Sequence, residues 1–261
     1  MGPEGQHLHA SSFGAAAGAY AEHRPDYASA AVRWALEPAP GSRVLDLGAG
    51  TGKLTSTLVA LDTDVIAVEP DPAMLTELRR ALRAVRALAG SAEAIPLPDA
   101  SVDAVLAGNA MHWFDMAVAA TEIARVLAPG GVLAGLWNVM DDRVDWVAGL
   151  ARFSGSAVIG PRDTLRSWRA ATAGLPLGTG PGVGFGSLEQ AEFPHRQRRT
   201  ADSLVATLAT RTGVLVMAEQ EREVTLSRIR TFLASRPETA DGEFALPMLT
   251  GVLRVQHLFL S

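Results

Sequence analysis

The stretch Val44-Leu45-Asp46-Leu47-Gly48-Ala49-Gly50-Thr51-Gly52-Lys53 constrains this chain more than any other. An apolar run of strand type leads straight into glycines at alternate positions, and a helical pattern follows. Glycine adopts left-handed backbone conformations without steric penalty and lets main chain approach a ligand closely, so the loop predicts a nucleotide-like cofactor at the end of a strand. Three cofactor classes use such a loop. Dinucleotide enzymes space theirs G-x-G-x-x-G to seat a pyrophosphate on the helix N-terminus, and here Lys53 stands where the third glycine would fall. The triphosphate loop G-x-x-x-x-G-K-[ST] does not match either.

Glu69 ends the next apolar run, Val65-Ile66-Ala67-Val68. In a parallel sheet the carboxyl ends of neighbouring strands open onto one crevice, and a carboxylate there can accept both hydroxyls of a ribose. A lone glutamate at a strand end is more simply a solvated acid; its coupling to the glycine loop favours the ligand reading.

The chain has 261 residues, 48% of them hydrophobic, with a formal charge of −5 and no cysteine. This length fits one α/β domain with insertions. Without cysteine there are no disulfides, thiolate nucleophiles, zinc-thiolate sites or iron–sulfur clusters, and no metal site is read. The acidic balance gives no general attraction for nucleic acid, and His195-Arg196-Gln197-Arg198-Arg199 reads as a solvated strand or loop. No apolar run reaches the roughly 18 residues that cross a bilayer. Residues 1–10 are polar, without the form of a secretory signal, and read as a disordered tail, so a cytoplasmic location is expected.

From Arg43 to Asn138 short β-rich runs alternate with helical patterns, the signature of βαβ units in a parallel sheet. Strands are expected at Arg43 to Leu47, Val65 to Glu69, Arg86 to Ala89, Val102 to Ala107 and Gly131 to Trp137. Asp71-Pro72 starts one helix, with Met74, Leu75, Leu78 and Leu82 on its inner face. A second runs from Met116 to Leu127 and stops at Pro129-Gly130-Gly131. Residues 140–187 are irregular, glycine-rich toward the end, and read as a lid or insertion. Beyond it come a strand over Glu189 to Arg198, helices over Ala201 to Leu208 and Glu219 to Ser235, and a terminal hairpin of Phe244 to Leu246 with Val252 to Phe259. The expected architecture is a doubly wound, mostly parallel α/β sheet, a single domain over 11–261 with a helical cap at 11–40.

Taken together, D-L-G-A-G-T-G, V-E-P-D, G-S-A-E-A-I-P-L-P-D-A-S-V-D and L-A-P-G-G resemble class I S-adenosylmethionine-dependent methyltransferases in order and spacing. The likeness spans about Phe13 to Asn138 and is nearest the small-molecule group that includes trans-aconitate and quinone-biosynthesis methyltransferases. It implies a Rossmann-like sheet of seven strands with an antiparallel last strand, and S-adenosylmethionine as cofactor. It also implies that Asp46, Gly48, Ala49 and Gly50 line the methionine end, that Glu69 holds the ribose, and that Pro70 and Met74 flank the adenine. Ser91, Ala92 and Glu93 match the loop that meets the adenine ring, and Asn109 matches the approach to the methionine portion. Phe13 to Tyr27, with its tyrosine and R-P-x-Y, resembles the family's capping helix and places Tyr20 and Arg24 over the cofactor; both tyrosines could equally just anchor the segment.

The acceptor side is less defined. Gly108 to Asp115 contains H-W-F-D, similar to the trans-aconitate-like group. His112 suits proton transfer near neutrality, and it could equally pack or cap a helix. Trp113, Phe114, Trp137, Trp146 and Trp168 read as pocket wall or core. No P-P-[YF] turn follows the fourth strand and no cysteine nucleophile exists, so a small-molecule acceptor methylated on oxygen, carbon or nitrogen is expected, and neither nucleic acid nor membrane as partner. Monomer and homodimer both remain open. The rivals are a non-catalytic S-adenosylmethionine-binding regulator and, against the glycine spacing, a nicotinamide-dependent oxidoreductase.

Overall fold

The computed structural model describes residues 26–159 and 184–258. The elements run α1 (Ser29–Leu36), β1 (Arg43–Leu47), α2 (Lys53–Val59), β2 (Asp64–Glu69), α3 (Pro72–Ala81), β3 (Arg86–Ala89), β4 (Val102–Gly108), α4 (Met116–Val126) and β5 (Leu127–Met140). They continue with α5 (Asp145–Ser154), β6 (Glu189–Thr200), α6 (Ala201–Ala209), the one-turn α7 (Thr212–Leu215), α8 (Glu219–Ala234) and β7 (Glu243–Gln256).

The strands form a seven-stranded sheet in the order β3-β2-β1-β4-β5-β7-β6, with β7 antiparallel between β5 and β6. Central strands β1 and β4 are buried along almost their whole length, which is why they read as continuous apolar runs. Their alternate residues feed two cores. Leu45, Leu47, Val105 and Ala107 join α4 on one face, while Val44, Ala104 and Leu106 join α1 and α2 on the other. Because β1 lies between β2 and β4, the connections after β1 and β4 leave toward opposite faces and open a crevice at the strands' carboxyl ends.

The expected terminal hairpin is corrected. Phe244 to Leu246 and Val252 onward belong to one continuous strand, β7, which pairs with β5 on one side and β6 on the other. Pro247 and Gly251 read as breaks in sequence, yet β5 ends opposite Met248, so the missing N–H of Pro247 falls where β7 has only β6 beside it. Past that level, Arg196–Thr200 and Glu243–Pro247 form a two-stranded extension beyond the parallel strands.

The segment 140–187 opens with a helix rather than irregular chain. In α5, Trp146, Val147 and Leu150 pack with Leu204 and Leu208 of α6, Ile229 and Leu233 of α8, and Phe244 and Leu246 of β7, forming a further core beside the extension. Trp146, Val147, Leu150 and Ala151 do recur at helical spacing, and Gly149 among them is the local signal against a helix. Residues 160–183 of the expected lid and the 1–10 tail lie outside the described residues. β5 begins at Leu127, earlier than expected, because that residue pairs with Val102 across a bulge before the regular register starts. Among the described residues no helix is long and apolar enough to cross a membrane.

Candidate active site

Asp46 is fully buried in β1, facing the start of α2. Its Oδ2 accepts the Thr55 hydroxyl at 2.6 Å, and its Oδ1, equally buried, has no hydrogen-bond partner among the described residues. Burial pushes this carboxyl up to about 7; the Thr55 bond opposes the shift and the nearby charge of Glu69 adds to it. After Leu47 the chain turns through Gly48, Gly50 and Gly52 at φ 70°, 57° and 90°, all left-handed. A Cβ at Gly48 would stand 2.8 Å from that of Ala110 with the Phe114 ring behind it, so the close approach requires glycine as much as the dihedral does. The N–H groups of Gly48 and Ala49 donate to the Val68 carbonyl, tying the loop to β2. Thr51 Oγ1 is a second buried atom with no partner among the described residues.

Glu69 closes the other side of this loop. Its Oε2 accepts the Gly50 N–H at 2.7 Å and its Oε1 the Asp71 N–H at 2.9 Å. Burial raises its pKa and these two backbone bonds lower it. A carboxylate offers about four acceptor positions, so each oxygen keeps one after these bonds. Pro70 is exposed beside it, while buried Met74 brings its sulfur 3.6 Å from where a Gly50 Cβ would be. Met74 is held there by α3, whose N-cap Asp71 accepts the N–H groups of Ala73 and Met74 at 2.9 Å each.

Ser91, Ala92 and Glu93 form the loop beyond β3. Ser91 bridges Ala94, Ala92 packs into the core, and Glu93 Oε1 accepts the Asp115 N–H at 2.9 Å, linking this loop to the start of α4. Asn109 follows β4 in a left-handed conformation, φ 52°, with its N–H donating to Leu136 O. Its Nδ2 donates to the Tyr27 hydroxyl at 3.1 Å and its Oδ1 accepts the Asn138 N–H at 3.3 Å. A Cβ at Gly108 would fall 2.5 Å from that hydroxyl, so glycine there makes room for Tyr27. His112 sits half-buried on the short 3-10 turn Met111–Trp113, its ring 4.9 Å from that of Trp113. Trp137 and Trp146 are core residues. Tyr20, Arg24 and Trp168 lie outside the described residues.

Sequence reading missed the polar network behind Asn109. Asn138 Nδ2 donates to Asp26 O, and its Oδ1 accepts the Thr250 hydroxyl at 2.6 Å. Thr250 Oγ1 accepts the Ala28 N–H and lies 3.2 Å from His195 Nε2. With the hydroxyl hydrogen committed to Asn138, His195 donates through Nε2. The ends of β4 and β5, the middles of β6 and β7 and the entry to α1 are thereby joined. The only signal in sequence was the polar residues standing inside otherwise apolar runs, Asn138 after Trp137 and Thr250 after Leu249.

A 3-2-1-4-5-7-6 sheet with an acid-led glycine loop at its switch point and a glutamate ending β2 defines a class I S-adenosylmethionine-dependent methyltransferase. Residues 45–135 match the methyltransferase-domain family. An uncharacterized methyltransferase of Mycobacterium tuberculosis is 43% identical over 93% of this chain and 94% of its own length. An uncharacterized methyltransferase-like protein of Schizosaccharomyces pombe is 36% identical over 78% of each. Among solved structures, a protein provisionally named a type II methyltransferase, from Anaeromyxobacter dehalogenans, superposes with a TM-score of 0.61 at 26% identity, over 90% of this chain and 97% of that one. The chain belongs to this methyltransferase family.

Proposed function

We propose that this protein transfers the methyl group of S-adenosylmethionine to an oxygen, carbon or nitrogen of a small-molecule acceptor. The observation that carries the reading is the pairing of a buried, half-satisfied Asp46 with a glycine loop locked to Glu69. A buried carboxylate oxygen without a partner is costly unless a ligand completes it, and the free positions fit this cofactor. Asp46 Oδ1 suits the ammonium of the methionine end, with the main chain of Gly48, Ala49 and Gly50 alongside. The remaining acceptor positions of Glu69 suit the two ribose hydroxyls. Pro70 and Met74 supply apolar surface for the adenine, and Ser91, Ala92 and Glu93 bound its far side. Asn109 borders its methionine end.

The cofactor supplies a methyl group already activated by a cationic sulfur. The chain therefore has to align the acceptor, exclude water and, where the acceptor is protonated, remove a proton. Asn109 is fixed by three hydrogen bonds at the end of β4, which makes it a rigid border. His112, one turn further on, is the candidate base, acting on an acceptor proton once the nucleophile is in line.

The test is incubation with methyl-labelled S-adenosylmethionine and a panel of small acids, phenols, amines and quinones. The expected result is a labelled small product with one S-adenosylhomocysteine formed per methyl transferred. Tight cofactor binding with no product across the panel would instead support a non-catalytic binder. If His112 is the base, His112→Gln lowers kcat at least tenfold for an acceptor with a dissociable proton while leaving cofactor affinity intact; unchanged kcat removes His112 from the mechanism.

A further inference from the structure

Beside α1 and the extension of β6 lies a cavity of about 420 Å³, lined among others by Asp26, Tyr27, Lys53, His195, Gln197 and Arg199. Its wall is a consequence of strand periodicity. His195, Gln197 and Arg199 are half-buried on the face where Phe193 packs against Trp34, while Arg196 and Arg198 alternate outward at the rim. On the inner face Lys53 and Arg199 meet a single acid, Asp26, in a chain whose net charge is −5, while the outward Arg198 pairs with Glu243 at 3.0 Å. A recessed cluster of one sign, walled by protein, focuses its field and concentrates ions of the other sign.

The groups are also arranged rather than scattered. Arg199 Nη2 donates to Gln197 Oε1 at 2.9 Å, Gln197 Nε2 donates to Asp26 O at 3.4 Å, and Lys53 Nζ pairs with Asp26 Oδ1 at 3.3 Å. His195 is fixed by Thr250. Burial lowers the pKa of both Arg199 and His195, opposed by Asp26, so the protein bears a desolvation cost to keep a guanidinium here. The cavity adjoins the glycine loop through Lys53, the residue after Gly52, and the end of β4 through the Tyr27 hydroxyl on Asn109. A fixed guanidinium fork matches the oxygens of a carboxylate or phosphate, which a point charge does less well.

We propose that this cavity binds the anionic group of the methyl acceptor, so that the substrate is a small acid bearing a carboxylate or phosphate and anchored by Arg199 with Lys53. The proposal rests on the methyltransferase reading and names the acceptor class for it.

The experiment is calorimetric titration of the full chain, saturated with S-adenosylhomocysteine, at low ionic strength with citrate and, separately, with inorganic phosphate; glycerol is the uncharged control. Saturable binding of at least one anion is expected, and which one binds decides between carboxylate and phosphate. Arg199→Gln should weaken it at least tenfold, Arg199→Lys should recover most of that loss, and S-adenosylhomocysteine affinity should stay within twofold in both variants, which shows them folded. No saturable binding of either anion by the wild type, or equal binding by wild type and Arg199→Gln, overturns the proposal. Failure of S-adenosylhomocysteine to bind at all strikes the methyltransferase reading instead, and the same titrations on the cofactor-free protein still read the cavity.

Discussion

At the scale of single residues, Asp46 couples the site to pH. Its folded pKa of about 7 lies above the ordinary 3.8, so between those values the folded protein holds a proton that the unfolded chain has released. Stability from this group is therefore complete below pH 3.8 and lost as pH rises through about 7. Urea unfolding of the cofactor-free protein should show this decline between about pH 4 and about pH 7 and none above, and Asp46→Asn should flatten it. Cofactor binding should run the opposite way. An ammonium beside Oδ1 favours the ionised carboxyl, so S-adenosylhomocysteine affinity should climb by up to about tenfold per pH unit below about pH 7 and then level off. Calorimetry in buffers of different ionisation enthalpy would register the released proton; a flat profile contradicts the role given to Asp46. Glu69 separates two functions. Glu69→Gln keeps one acceptor oxygen and should cost cofactor affinity less than Glu69→Ala, which leaves the Gly50 N–H, the Asp71 N–H and two ribose hydroxyls unpartnered. Equal losses would mean that the carboxylate only pins the loop. The glycine turns and the place of Glu69 at the end of β2 were legible in the sequence because left-handed turns and strand ends are local constraints, whereas Asp46 entered only through the family resemblance. Thr250 and His195 were not, since each acquires its meaning from partners far away in the chain.

At the scale of elements, the N-cap of α3 does work that reaches the site. Asp71 accepts two N–H groups at the start of the helix, and one of them belongs to Met74 beside Gly50. Asp71→Ala should cost about 1 kcal/mol of stability, read from the urea midpoint at constant slope, and should weaken cofactor affinity modestly by freeing Met74. An unchanged midpoint would show the cap to be incidental. This helix was legible because its cap, its Pro72 and its apolar spacing all agree. Strand β7 was read as two pieces because Pro247 and Gly251 carry local signals of a break, which lateral pairing with β6 overrides. The α5 helix was passed over for a similar reason. Gly149 and the glycine-rich chain after residue 173 argue locally against regular structure, although Trp146, Val147, Leu150 and Ala151 recur at helical spacing and pack on α6, α8 and β7.

At the scale of the whole molecule, the sheet order follows from the pattern of buried and half-buried strands, and the site follows from the order. The double-faced core around β1 and β4 holds the glycine loop, whereas the core of α5, α6 and α8 supports the extension that walls the basic cavity. Leu150→Ala, at a fully buried position of this second core, should cost about 2–5 kcal/mol while leaving S-adenosylhomocysteine affinity nearly unchanged in the folded protein. A parallel loss of cofactor affinity would mean that the two cores act as one. The parallel half was readable because βαβ units are contiguous in sequence; β6 and an antiparallel last strand were readable as well, but not the pairing of β6 with one continuous β7, because these strands meet across three helices. The central claim is that the crevice beside Asp46 and Glu69 takes S-adenosylmethionine. Calorimetric titration of the wild-type protein with S-adenosylhomocysteine and with NAD tests it most directly. One micromolar S-adenosylhomocysteine site, weakened at least tenfold by Glu69→Ala, with no NAD binding, is the predicted result; micromolar NAD binding without S-adenosylhomocysteine binding would contradict it.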